Sequence, residues 1–255
     1  MCGRFVASSS PDQIAAYFGA DVAVDSLGQN FNVAPTHDVY GVVAPHGGDA
    51  SSTPRLEAFH WGLIPSWAKD RKIASRMINA RSETLAEKPS FKGLFKKKRL
   101  LVPMDGFYEW KPGTADGPLT AQGKPAKQPF FVHRGDGEPL AVAGLWSAWK
   151  DPEAGGVEGE SPHWLHSATV VTTAANEVMA SIHDRMPVLV PKARWAEWLD
   201  PTNDDIESLS TLFDMRGERS LELRPVSTDV NSVRNNRPDL IDAVDTAAST
   251  SSSLF

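Results

Sequence analysis

Leu100-Leu101-Val102-Pro103-Met104-Asp105-Gly106-Phe107-Tyr108-Glu109-Trp110 is the stretch on which the reading of the fold turns. Two short apolar or aromatic runs, Leu100–Pro103 and Phe107–Trp110, read as strands. In the second, the alternation of side chains puts Tyr108 and Trp110 on one face and Phe107 and Glu109 on the other. Gly106 allows a bend there, or the close approach of a ligand. Runs of the same kind recur at Val39–Val43, Leu56–Trp61, Phe130–His133, Leu140–Leu145, Ala168–Thr173, Pro187–Val190 and Leu221–Pro225. Few helices intervene. One is clear: Ser10 as N-cap, Pro11 at the first helical position and Gln13 completing a capping box open it, Ile14, Tyr17 and Phe18 give it an apolar face, and Gly19 stops it. Further helices are expected at Ala174–Ile182, Lys192–Leu199 and Asp204–Asp214. Many short strands with so few crossover helices do not make a doubly wound sheet. The expected class is α+β: a single domain with antiparallel, partly barrel-like β-sheets flanked by short helices.

Size and composition agree with one domain. The chain has 255 residues, 41% hydrophobic and 23% charged, the composition of an ordinary globular protein. No run approaches the ~18 consecutive apolar residues of a membrane helix. The start, Met1-Cys2-Gly3-Arg4-Phe5, lacks the basic and apolar regions of a secretory signal. The single cysteine excludes an internal disulfide and cysteine-cluster metal sites. A cytoplasmic or nucleoid-associated protein is expected. His46–Pro54, Lys111–Pro129 and Asp151–Ser161 read as surface insertions, and Ala247–Ser253 as a disordered end. The domain is set at residues 2–240 and the tail at 241–255.

A net charge of −6 argues against a generic nucleic-acid binder, yet residues 54–111 hold 13 Lys/Arg against 6 Asp/Glu. A basic segment inside an acidic chain can form a local anion-binding face. For the run Lys96–Lys98 alone, a solvated surface is the simpler reading.

Cys2 is the most informative single residue. Met1 is commonly removed when the next side chain is small, which would leave an α-amine and a thiol on adjacent carbons. These groups ordinarily titrate near ~8 and ~8.5, so both are usable nucleophiles close to neutrality. A 1,2-aminothiol condenses with an aldehyde, first to a Schiff base and then, by attack of sulfur, to a thiazolidine. Alone, a buried small hydrophobe is the commoner fate of a free cysteine. Glu109, among aromatic neighbours, could act as a general acid or base, or belong to a solvated strand face with Asp105 and Lys111. His183, in His183-Asp184-Arg185-Met186-Pro187, could exchange a proton near neutrality or merely cap a turn. Arg185 could hold a phosphate. In Asn79-Ala80-Arg81-Ser82-Glu83-Thr84, an extended chain would put Asn79 and Arg81 on one face; the alternative is surface polarity on a loop. In Trp61-Gly62-Leu63-Ile64-Pro65-Ser66-Trp67, Trp61 suits the core, whereas Ile64, Pro65 and Trp67 are hard to bury together and could offer stacking surfaces to unpaired bases. Phosphate-loop, dinucleotide-binding, zinc-protease and nucleophile-elbow motifs are absent, so neither a metal nor a nucleotide cofactor is expected.

The order of these segments, together with Asn32-Val33-Ala34-Pro35-Thr36, Ala143-Gly144-Leu145-Trp146 and Thr172-Thr173, resembles the SOS response-associated peptidase family, the abasic-site processing proteins. The resemblance spans about residues 2–240. It implies binding of abasic sites in single-stranded DNA and covalent attachment through the N-terminal cysteine, giving a thiazolidine crosslink that shields the lesion. It implies Cys2 as nucleophile, Asn79 as the residue positioning it, Glu109 as proton shuttle, and His183 as the group assisting sugar opening and crosslink reversal. It further implies phosphate contacts from Arg4, Arg81 and Arg185, a wedge of Trp67 and Pro65 against the DNA stack, and a polar contact from Thr172. Many relatives have a second His where this chain has Asp184. A monomer without cofactors is expected. Two other readings remain: a peptidase with Cys2 as N-terminal nucleophile, acting on its own Met1, and a non-catalytic single-strand binder.

Overall fold

The structure, a computed structural model, describes residues 2–45, 53–151 and 164–245. Met1, most of the first insertion and nearly all of the third, and the tail from 246 onward lie outside the described residues. The elements in chain order are β1 (Phe5–Ala7), α1 (Pro11–Phe18), β2 (Asp21–Val22), β3 (Asn30–Val33), β4 (Asp38–Val43), β5 (Arg55–Trp61), β6 (Asn79–Arg81), α2 (Pro89–Lys97), β7 (Arg99–Met104), β8 (Gly106–Lys111), β9 (Gln128–Arg134), β10 (Leu140–Lys150), β11 (Trp164–Ala174), α3 (Glu177–Ala180), β12 (Arg185–Pro187), α4 (Trp195–Leu199), α5 (Ile206–Ser210) and β13 (Leu221–Pro225), with short 3-10 turns between.

Five strands close on themselves. β4 pairs with β5 and β7, β7 with β10, and β10 with β11, all antiparallel; a short parallel pairing of β11 with β5, Ser167 opposite His60 and Ala168 opposite Trp61, completes the ring. Closure leaves the barrel without free edges at its centre. Outside it, a five-stranded antiparallel sheet runs in the order β13-β9-β8-β1-β3. The stretch that opens the sequence reading joins the two: Leu100–Met104 is a barrel stave, and after Asp105 the chain enters the second sheet as β8. Asp105 pins this crossing, its carboxylate accepting from Ser8 N–H at 2.6 Å, Ser8 Oγ–H at 2.7 Å and Ser9 Oγ–H at 2.9 Å. The α+β, partly barrel-like reading is thus correct.

The alternation expected in β8 holds. Phe107 joins the large core with Cys2 and Phe5, while Tyr108 joins a second cluster with Val6, Phe131, Val226, Val230 and Leu240, against which Trp110 packs. Gly106 does serve a close approach, but to protein: a Cβ there would lie 2.4 Å from the Phe131 ring and 2.6 Å from Val132 O.

The capping box and left-handed Gly19 of α1 are as read from the sequence. The helix expected over Ala174–Ile182 is shorter, because β11 runs on through Ala174, and α3 begins only after Asn176, whose Oδ1 caps it by accepting from Met179 N–H at 2.9 Å. The strand at Pro187–Val190 begins earlier and ends at Pro187. Helix α2, absent from the sequence reading, buries Phe91 and Phe95 one turn apart, with Pro89 at its start. Lys96 and Lys97 form its last turn, where positive charge suits the helix dipole. The second insertion is an exposed hairpin bridged at Leu119 and Pro125. Order continues past residue 240: Val244 N–H donates to Pro225 O at 2.9 Å. No helix among the described residues is long and apolar enough to cross a membrane.

Candidate active site and nucleic-acid interface

Cys2 lies just ahead of β1 and is completely buried. Asn79 reaches it from β6: its Nδ2 donates to Cys2 O at 2.9 Å. The short strand β6 exists because it adds in parallel to β11, Asn79 opposite Val170 and Arg81 opposite Thr172. That register places Asn79, Arg81 and Thr172 on one face, so the extended reading of Asn79-Ala80-Arg81 is the correct one. Asn79 Oδ1 and Thr172 Oγ1 are both buried and accept or donate no hydrogen bond among the described residues.

Glu109 enters from the Phe107 side of β8 and is only 3% exposed. The reading of Glu109 as part of a solvated face is therefore excluded. Its Oε2 stands 3.9 Å from His183 Nε2. His183 follows α3; its Nδ1 lies 2.9 Å from the Arg185 backbone nitrogen, and its Nε2 is turned toward Glu109. Asp184 Oδ1 lies 3.0 Å from the same Nδ1, on an exposed side chain. Burial is the main cause that pushes the Cys2 thiol well above its usual range; the Glu109 carboxylate adds to the effect, while the amino terminus and the Arg4 backbone N–H oppose it. The sulfur is thus held as a neutral thiol, with the Glu109 carboxylate acting on it and His183 next to Glu109.

The three arginines are placed differently. Arg81 is exposed, and its guanidinium has no partner among the described residues. Arg185 is spent on a bidentate pair with Glu83, Nη2 to Oε2 at 2.9 Å, and on Thr172 O at 2.7 Å. A phosphate at Arg185 would have to displace Glu83. Arg4 points to the other face of the sheet, where Nη1 donates to Asn32 Oδ1 at 2.7 Å and to Val230 O at 2.9 Å, and its guanidinium lies over Trp110. Glu83 and Asn32 were not assigned roles from sequence, although Glu83 sits within the same hexapeptide as Asn79.

Of the expected stacking surfaces, only Trp67 is on the outside, at 61% exposure. Ile64 and Pro65 are both buried, contrary to expectation, because Gly62 takes φ 126° and folds the loop inward against the 3-10 turn Arg71–Arg76. A Cβ at Gly62 would meet Ala74 O at 2.6 Å. Ile64 packs with Ala74 and Trp149, and Trp61 is core. Beside Trp67, Lys69, Lys72 and Arg76 line one shallow cavity with it, together with Asp70, which lies 3.5 Å from Lys72 Nζ. No three His, Cys, Asp or Glu side chains converge as metal ligands among the described residues.

The family model described as "SOS response associated peptidase (SRAP)" matches residues 1–233. The chain is 39% identical over 245 residues to abasic site processing protein YoqW of Bacillus subtilis, covering 95% of this chain and all of that one. It is 35% identical over 214 residues to abasic site processing protein HMCES of Xenopus tropicalis, covering 77% of this chain and 60% of that one. A crystal structure of a protein from Bacteroides thetaiotaomicron shares the fold, with a TM-score of 0.77 and 23% identity over 95% of this chain and all of that one. The chain belongs to the SOS response associated peptidase (SRAP) family.

Proposed function

We propose that this protein processes abasic sites in single-stranded DNA and, once Met1 is removed, traps them as a thiazolidine through Cys2. The observation that carries this reading is the convergence on Cys2 of Asn79, which holds its carbonyl, and the Glu109–His183 pair. Relatives named as abasic site processing proteins support the substrate class.

An abasic deoxyribose is mostly a closed hemiacetal. His183 and Glu109 move the proton that opens it to the aldehyde; general acid–base groups of this kind typically contribute ~10²–10⁴-fold. The free Cys2 amine adds to the aldehyde carbon, and the carbinolamine expels water to give the imine. The thiol then adds across C=N: sulfur bonds to carbon, and its proton ends on nitrogen. The order amine first, sulfur second suits a thiol that burial keeps protonated. Asn79 Oδ1 and Thr172 Oγ1, buried with unfilled hydrogen-bonding capacity, suit the hydroxyl groups of the opened sugar. Arg81, Trp67 and the cations around Trp67 supply what a single strand needs: positive charge for phosphates and an aromatic face for bases.

The test is intact-mass measurement before and after exposure to abasic single-stranded DNA. The mature protein should give an adduct that survives denaturation without any reductant. A protein retaining Met1 should give none, because an amide nitrogen cannot form the imine. A stable, reductant-independent adduct from the Met1-bearing protein would overturn the mechanism.

A further inference from the structure

Behind the site, on the opposite face of β8 and β1, lies a cleft of about 660 Å³ between the hairpin of residues 112–127 and the 3-10 turn Thr228–Asn231. Arg4, Trp110, Gln122, Lys124, Lys127 and Asn231 line it, with no carboxylate among its lining residues. The hairpin that supplies the two lysines is held in shape. Ala126 N–H donates to Pro118 O at 2.7 Å and Thr120 N–H to Lys124 O at 2.7 Å. At its base the two limbs press together so closely that a Cβ on Gly113 would lie 2.2 Å from Ala126 O. On the other wall, Trp110 Nε1–H donates to Asn231 Oδ1 at 2.7 Å, which fixes the indole beneath the Arg4 guanidinium. The acidic residue of the facing turn, Asp229, is neutralised by Arg237.

This cleft lies on the other face of the strand that carries Glu109. The pairing of β1 with β8 ends at Arg4, whose carbonyl accepts from Tyr108 N–H at 2.9 Å, while β8 runs on to Lys111. Glu109 and Trp110 are adjacent residues on opposite faces of β8, toward the site and the cleft respectively.

We propose that the cleft binds the single-stranded DNA that adjoins the lesion on one side. Its phosphates lie against Lys124 and Lys127, and an unpaired base lies against the Trp110 indole. Uniform positive charge with an aromatic wall is the chemistry of a single-strand track. The cleft also gives Arg4 a role its position otherwise denies: its charge is presented here rather than beside Cys2. The proposal rests on the DNA reading above.

The test uses the mature protein and three oligonucleotides carrying a tetrahydrofuran abasic analogue, which has no aldehyde and so binds without crosslinking: a minimal one, one extended only on the 5′ side and one extended only on the 3′ side. Dissociation constants are measured over a salt series for wild type, for Lys124→Ala/Lys127→Ala, and for Lys88→Ala/Lys92→Ala, which removes the same charge from another surface. Two lost phosphate contacts should flatten the log–log salt slope by about 1.4, at ~0.7 per contact on single strands. That loss should occur with only one of the two extended oligonucleotides, and the control variant should keep the wild-type slope. Equal losses on both extensions, no loss on either, or the same loss in the control would overturn the cleft as a strand site. Should the wild type fail to bind any of the three, or to crosslink the same strands carrying a true abasic site, the DNA reading itself falls and the cleft with it. A normal adduct with unchanged slopes removes the cleft alone.

Discussion

Replacing Glu109 by Gln separates two roles that the carboxylate could play, because they change the rate in opposite directions. Glu109 is buried, 3.9 Å from His183 Nε2, and its charge is the second cause, after burial, that holds the Cys2 thiol up. Gln keeps the size and removes the charge. If the carboxylate acted only on the thiol, its loss would bring the thiol down toward its ordinary range, and adduct formation would be unchanged or faster. If it carries protons between sugar, amine and His183, its loss should slow adduct formation by ~10²–10⁴-fold, while DNA affinity is retained because no phosphate contact is touched. The assay is single-turnover crosslinking to an abasic single strand under saturating protein, followed on denaturing gels, with affinity measured separately on the same strand carrying a tetrahydrofuran analogue that has no aldehyde. Thermal unfolding of the variant guards against the trivial loss of a folded site. A crosslinking rate equal to or above wild type, in a folded variant, would refute the shuttle and leave Glu109 an electrostatic neighbour of Cys2.

The nucleic-acid face gives two further expectations. Arg81→Ala should lower the log–log salt slope on single strands by ~0.7 and weaken binding whatever the base sequence; a sequence-dependent loss in a panel of oligonucleotides would argue against a phosphate contact. Trp67→Ala should leave stability within ~0.5 kcal/mol, since the side chain is mostly exposed, and should weaken single-strand binding by about 1–3 kcal/mol if the indole stacks on a base, checked by thermal unfolding and binding on one preparation.

The parts of the fold that were legible are those where a local pattern and the tertiary demand coincide. The α1 capping box is satisfied by residues three apart and needs nothing else. The apolar runs of β4, β5, β7 and β10 fill a closed barrel, and burial on that scale is written into the runs themselves. What was hidden depends on partners distant in sequence. β6 has three residues and becomes a strand only because β11 offers it an edge. β1 is likewise three residues, held between β3 and β8. Helix α2 carries Gly93 and three lysines in nine residues, which masks its Phe91–Phe95 stripe.

The site divides along the same line. Strand alternation alone places Glu109 on the Phe107 face, and the structure adds that this is the face of Cys2. For the arginines, residue type alone does not tell which partner is taken, because a guanidinium satisfies a carboxylate or a backbone carbonyl as readily as a phosphate. Arg4 and Arg185 have taken such partners within the fold, Asn32 and Val230 O in one case and Glu83 and Thr172 O in the other. Arg81, without such a partner among the described residues, keeps its full donor set for a ligand. The same reasoning ranks the loop residues. The resemblance matched Pro65 with Trp67 to a wedge; the turn at Gly62 buries Ile64 and Pro65 and leaves Trp67 as the exposed ring of this loop. On the proposed reading, one indole beside lysines would meet the π-face of a base and the charge of a phosphate, features common to all four nucleotides, and recognition of a nucleotide that has lost its base requires just such sequence-independent contacts around it.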